Sequence, residues 1–147
     1  GYNVCFDDYD PQKSVTFWAR SVSDFPMKAD CESPDVVLCD TPGRLDLQDD
    51  EKLEGLKALI LNSDRLIIVC EKSPFSIQAS KAMCDFIGTN KSDNAKAYIL
   101  FNKVRSNTVI GKLPNDEIAS SLGIPALQNV LPLAAPFENI QTQGLLI

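Results

Sequence analysis

Two aspartates that follow short apolar stretches are the first residues here with the makings of chemistry. Asp10 lies in the run Asp8-Tyr9-Asp10-Pro11-Gln12, and Asp40 opens Asp40-Thr41-Pro42-Gly43. Carboxylates on neighbouring strand ends are hard oxygen ligands of the kind Mg²⁺ accepts while keeping most of its water. Gly43, three residues past the second acid, offers a backbone N–H with no side chain in the way. Such a group can point at a phosphate oxygen and move when that phosphate leaves. Asn102 both donates and accepts, which the edge of a purine demands, and Lys103 follows it. Each feature also has a plainer reading. Asp-Pro and Thr-Pro-Gly are ordinary turn formers, Asn102-Lys103 is a weak signal, and Asp7-Asp8 reads as a solvated strand end.

The elements that must carry these residues alternate in type. Residues 4–8, 36–39, 66–70, 97–101 and 130–133 read as strands. Residues 12–23 read as a helix with Val15, Trp18, Ala19 and Val22 on one face, followed by a polar, proline-bounded connection over 25–34. Residues 49–62 form an amphipathic helix with Leu53, Leu56, Leu59 and Ile60 on its buried stripe. Ser76 caps a further helix to Ile87, with Ala79, Ala82, Met83 and Phe86 inward and Gly88 ending it. A last short helix spans 115–122 and is stopped by Gly123. This alternation predicts an α/β fold, a mostly parallel sheet flanked by helices on both faces, with residues 1–147 as a single domain. Ligands of such sheets bind at the carboxyl ends of the strands. The exits at Asp8–Gln12, Asp40–Gly43, Glu71-Lys72-Ser73-Pro74 and Asn102-Lys103 are therefore expected to open onto one rim.

Composition narrows the class. A chain of 147 residues with 44% hydrophobic and 23% charged residues can bury one core and is not of disordered type. No apolar run approaches the roughly 20 residues a bilayer span needs, and no secretory leader pattern opens the sequence, so a cytoplasmic location is expected. The five cysteines form no CxxC pair and histidine is absent, which excludes the usual zinc ligand sets. The cysteines are expected as free thiols packed like small hydrophobes in a reducing cytosol. Fourteen basic residues against 20 acidic ones, a net charge of −6, argue against a nucleic-acid grip by this stretch alone. Lys103, Arg105 and Lys112 are scattered and read as a solvated face.

Read together, the chain resembles the ParA/MinD group of deviant-Walker ATPases. Residues 1–18, with Asp8-Tyr9-Asp10-Pro11-Gln12 and then Trp18, resemble that family's second strand, which ends in Asp-x-Asp-Pro-Gln and enters a tryptophan-bearing helix. Residues 35–43 resemble its Walker B strand and switch, and residues 66–79, with the Ser73-Pro74 exit, its next strand and helix. Residues 100–104 resemble its base-recognition strand, and Gly123-Ile124-Pro125 through Gly144 its closing segment. The resemblance implies ATP and Mg²⁺ as cofactors. It gives Asp10 the attacking water and a share of the metal, Asp40 the Mg²⁺ through water, Gly43 the γ-phosphate, and Asn102, Lys103 and Pro136 the nucleotide. It further implies an ATP-gated homodimer, a centromere- or cargo-binding partner protein, and partitioning or positioning of DNA or plasmid cargo, with no membrane partner. Positioning and electrostatics carry phosphoryl transfer of this kind.

The sequence departs from that family at the phosphate cradle. A Lys-Gly-Gly-x-Gly-Lys-Thr loop is expected upstream of Gly1, so the chain reads as a P-loop NTPase-like fragment lacking its first strand and P-loop and shortened at both ends. No substitute loop lies inside it: Gly111-Lys112 is followed by Leu113, and Ser106 stands where the first glycine belongs. ATP hydrolysis is therefore expected of a parent carrying the loop and not of this chain alone. Two other readings remain. One is a P-loop-less pseudo-ATPase serving as a protein-interaction module. The other is a receiver-like phosphoacceptor domain, for which Asp7-Asp8, Asp40, Ser73 and Lys103 fall in the right order.

Overall fold

A computed structural model describes residues 1–43 and 49–134, which fall into two compact units divided between these two stretches. Both are mixed α/β, each built on a short parallel sheet. Pro136, assigned to the nucleotide by resemblance, lies outside the described residues.

In the first unit β1 (Val4–Asp8) pairs in parallel with β2 (Val36–Asp40), in a register running from Val4↔Val36 to Asp8↔Asp40. The other edge of β1 is covered by the chain on either side of Met27. The Phe6 N–H donates to the Pro26 carbonyl at 2.8 Å, and Phe25 packs against Phe6 and Trp18 with ring centroids 5.0 and 5.1 Å apart. Helix α1 (Ser14–Ala19) is half the length the sequence predicts. Lys13 enters it in the left-handed region, and Asp24 turns the chain left-handed again ahead of Phe25-Pro26. The Ser23 hydroxyl donates to the Asp24 carboxylate at 3.1 Å beside this turn, and Pro26 disfavours helical geometry at Phe25, so the helical pattern does not continue to Ser23.

The same strap overturns one expectation. Cys5 and Cys31 are joined in a disulfide, with Cα atoms 6.5 Å apart, while Cys39, Cys70 and Cys84 are free thiols. A turn at Lys28–Asp30 brings Cys31 back to the fully buried Cys5, inside the distance a disulfide can span.

In the second unit β3 (Arg65–Glu71) and β4 (Lys96–Asn102) pair in parallel, from Arg65↔Lys96 to Glu71↔Asn102. Helix α2 (Asp50–Leu61) begins where the sequence predicts, because the Asp49 carboxylate accepts the Lys52 N–H. Helix α3 (Pro74–Asn90) starts earlier than expected: Ser73 caps it, leaving Pro74 in the first turn, where no N–H is needed. Gly88 lies within α3 rather than ending it, and the buried residues are Cys84 and Ile87, with Ala79 and Ala82 exposed. Helix α4 (Val109–Lys112) and α5 (Asn115–Ala119) follow, and a tight turn, Ser120–Leu122, ends at Gly123 with φ 71°. The expected strand over 130–133 is only an isolated bridge, Val104↔Pro132, within a segment that follows the free edge of β4. Ile99 N–H donates to the Pro125 carbonyl and Leu131 N–H to Phe101, each at 2.9 Å, but Pro125 and Pro132 lack the N–H groups a full ladder requires.

Ile68 and Cys70 of β3 and Ile99 and Phe101 of β4 meet Leu56, Ile60, Cys84, Ile87, Ile118 and Leu122 in one core. Ile99 and Phe101 are fully buried, worth roughly 1.5–3 kcal/mol each against exposure. The strands alternate: on the opposite face of β3, Ile67 and Val69 are 54% and 58% exposed. Among the described residues no helix is long and apolar enough to cross a membrane.

Candidate functional site

The parallel registers place strand exits side by side in pairs. In the first unit Asp8 is level with Asp40, and in the second Glu71 is level with Asn102.

At the first pair, Asp8 is the residue that sequence reading underrates. It is 8% exposed, and its carboxylate accepts the Thr16 N–H at 2.8 Å, the Thr16 hydroxyl at 2.7 Å and the Asp10 N–H at 3.1 Å. The Lys13 ammonium donates to the Asp8 carbonyl at 2.6 Å. Burial alone would raise the Asp8 carboxyl, but the Thr16 and Asp10 bonds outweigh it and hold the group below its ordinary value. Asp8 is thus an ionised anchor between β1 and α1. A Thr six residues past Asp10 was the one sequence signal that could have revealed it.

Asp10 and Asp40 are less encumbered. One oxygen of Asp10 accepts the Gln12 N–H at 3.0 Å, the local turn expected ahead of Pro11-Gln12. Asp40 is held above its ordinary value by burial and by the negative charges of Asp8 and Asp10. Among the described residues no lysine or arginine forms an ion pair with it. The Tyr9 N–H donates to the Asp40 carbonyl at 2.8 Å, locking the two exits together. The Asp8 and Asp10 charges thus act on Asp40 from the neighbouring strand exit. Gly43 follows, exposed, and among the described residues nothing lies within 4 Å of where a Cβ on it would be. No group of three or more His, Cys, Asp or Glu side chains suited to a metal is formed among the described residues, so a cation here would rest on two carboxylates and water.

Asp7 turns to the other face of β1. Its carboxylate accepts from the Lys28 ammonium and the Tyr9 hydroxyl, each at 2.9 Å, and these bonds overcome burial to hold it below its ordinary value.

At the second pair, the Asn102 side-chain oxygen accepts the Lys103 N–H at 2.8 Å, and Lys103 sits at φ 52°. The Lys103 ammonium lies 3.7 Å from Glu71, an exposed and weak pair. The Ser73 hydroxyl is engaged as the α3 cap, and the Ser76 hydroxyl accepts the Glu71 N–H at 3.0 Å. Gly111-Lys112 has a structural task. A Cβ on Gly111 would lie 2.0 Å from the Arg105 carbonyl oxygen, and Lys72 donates to the Gly111 and Leu113 carbonyls at 3.3 and 2.8 Å.

No protein-family model and no curated protein matches this sequence.

Proposed function

We propose that this chain is the ParA-like part of a P-loop NTPase-like ATPase, one that partitions or positions DNA cargo by ATP-gated dimerisation in the cytoplasm. The single observation that carries this reading is the level pairing of the Asp8-Tyr9-Asp10-Pro11-Gln12 exit with Asp40-Thr41-Pro42-Gly43 on parallel strands. In this reading Asp40 and Asp10 hold Mg²⁺ through water, and Asp8 fixes the strand end from which Asp10 projects. The metal, when bound, neutralises charge on the phosphate oxygens. Gly43 is assigned to the γ-phosphate, and Asn102, Lys103 and Pro136 to the nucleotide, by resemblance alone. A second copy of the chain and a cargo-binding protein are the partners. Without a phosphate-cradling loop in this sequence, turnover is not expected of the chain by itself.

The reading is tested by saturation-transfer NMR with millimolar ATP and Mg²⁺, alongside a phosphate-release assay. Transfer to the adenine protons that fades in Asn102→Ala, with no phosphate released, is the expected outcome. Equal transfer in the variant, or none at all, counts against the assignment, and magnesium-dependent phosphate release refutes the expected inactivity.

The interaction-module reading draws support from exposed apolar side chains, Ile67 and Val69 on β3 and Phe75 on α3. The phosphoacceptor reading draws none, because Asp7, Asp8 and Ser73 are already committed to Lys28, Thr16 and the α3 cap.

A further inference from the structure

The disulfide of the first unit sits asymmetrically. Cys5 is the second residue of β1 and is fully buried, whereas Cys31 lines a cavity of about 760 Å³. Arg20, Asp24, Phe25 and Met27 line the same cavity. Thiol–disulfide exchange requires a thiolate to approach one sulfur, expelling the other. Cys5 is closed to such an approach by its burial, and Cys31, half-buried at the cavity wall, is the side from which a thiolate can come.

The bond also closes more than a loop. It spans 26 residues and ties the strap around Met27 to β1. That strap supplies the Pro26 carbonyl that accepts the Phe6 N–H, the Phe25 ring that packs on Trp18, and the Lys28 ammonium that pairs with Asp7. Within the closed loop lie Asp8, Asp10 and Thr16. Cys39 of β2, level with Asp7 and so two register positions from Cys5, is a weak internal competitor. Burial and the Asp7 charge push its thiol up, so it stays protonated near neutral pH.

We propose that Cys31 is a thiol–disulfide exchange site at which a dithiol reductant opens the Cys5–Cys31 bond and releases the strap from β1. In the first step a thiolate of the reductant attacks Cys31 Sγ. A reductant–Cys31 bond forms, the Cys5–Cys31 bond breaks, and Cys5 leaves as a thiolate that takes up a proton. In the second step the reductant's other thiolate attacks its own sulfur in the mixed disulfide, closing a cyclic disulfide and freeing Cys31 as a thiol. The protein gains two electrons and two protons, and the dithiol loses the same. A disulfide that serves in this way belongs to the reversible class found beside free thiols in reducing compartments, a setting in which Cys39, Cys70 and Cys84 stay reduced.

The test uses the full chain in its native state and its only tryptophan, Trp18. Alkylation in denaturant without reductant is expected to modify Cys39, Cys70 and Cys84 and leave Cys5 and Cys31 linked. A brief pulse of 2-mercaptoethanol without denaturant, quenched in acid, is expected to place the mixed disulfide on the Cys31 peptide and the free thiol on Cys5. Titration with dithiothreitol is expected to shift Trp18 emission to the red with the same midpoint as bond opening, and to lower the melting temperature by roughly 5 °C or more. Cys31→Ser is expected to show the reduced emission and to ignore dithiothreitol. The proposal is overturned if Cys5 and Cys31 are alkylated without reductant, or if the bond resists dithiothreitol until urea unfolds the chain. It is also overturned if the mixed disulfide forms on Cys5, or if Trp18 emission stays unchanged after complete reduction.

Discussion

The carboxylate of Asp8 takes both the amide and the hydroxyl of Thr16, at 2.8 and 2.7 Å, and so fixes the end of β1 against the first turn of α1. This pair sits directly beneath the motif residue Asp10, whose N–H also donates to Asp8. Asp10 leaves a strand whose last residue cannot swing, because its charge is buried and satisfied.

Thr16→Val removes the hydroxyl and leaves the amide bond. Urea unfolding at neutral pH is expected to show a loss of about 1.5–3 kcal/mol, the range for hydrogen bonds to charged groups. The effect should depend on pH. Asp8 sits below its ordinary value of 3.8 in the folded state, so its contribution is full above that value and is lost as pH falls through the folded one. Native and variant stabilities should therefore converge in acid. A constant gap down to pH 2 would show that the hydroxyl matters for packing and not for the charge.

Asp40 has the opposite sign. Its folded value is raised by burial and by Asp8 and Asp10, so the native state holds the proton to higher pH than the unfolded chain does. Stability falls as pH rises from the ordinary value of 3.8 through the folded one, and the deficit then stays constant. Asp40→Asn is expected to melt higher than the parent at pH 7, and the two should melt together below pH 3.8. A variant that melts lower at pH 7 would mean that the carboxylate makes a stabilising bond.

Gly111→Ala tests the reading of Gly111-Lys112 as packing. The added Cβ would lie 2.0 Å from the Arg105 carbonyl oxygen and 2.8 Å from the Thr108 hydroxyl, so the α4 turn must shift. A loss of roughly 1–3 kcal/mol is expected in denaturant unfolding, the usual cost of overpacking. An unchanged midpoint would remove the structural role.

Much of the second unit was legible because its signals are local. Asp49 caps α2, Gly123 ends the last turn, and both strands keep their apolar runs. The sequence places the start of α3 at Ser76, but Ser73 caps the helix, and the Ser76 hydroxyl instead accepts the Glu71 N–H. The first unit was harder to read because its determinants are distant in sequence. The pairing of Cys5 with Cys31 carries no spacing pattern, and the burial of Asp8 follows only once Thr16 folds over it. The sequence singled out Asp10, Asp40 and Gly43, but not the Asp8 carboxylate that accepts the Asp10 N–H.

The most direct test of the proposed site is a Mn²⁺ titration followed by amide line broadening in ¹H–¹⁵N spectra, with Mn²⁺ standing in for Mg²⁺. Broadening that begins at residues 8–10 and 40–43, and disappears in Asp40→Asn, is the expected result. Broadening that begins at other carboxylates, or that the variant leaves unchanged, would contradict the assignment of Asp10 and Asp40 as the metal-holding pair.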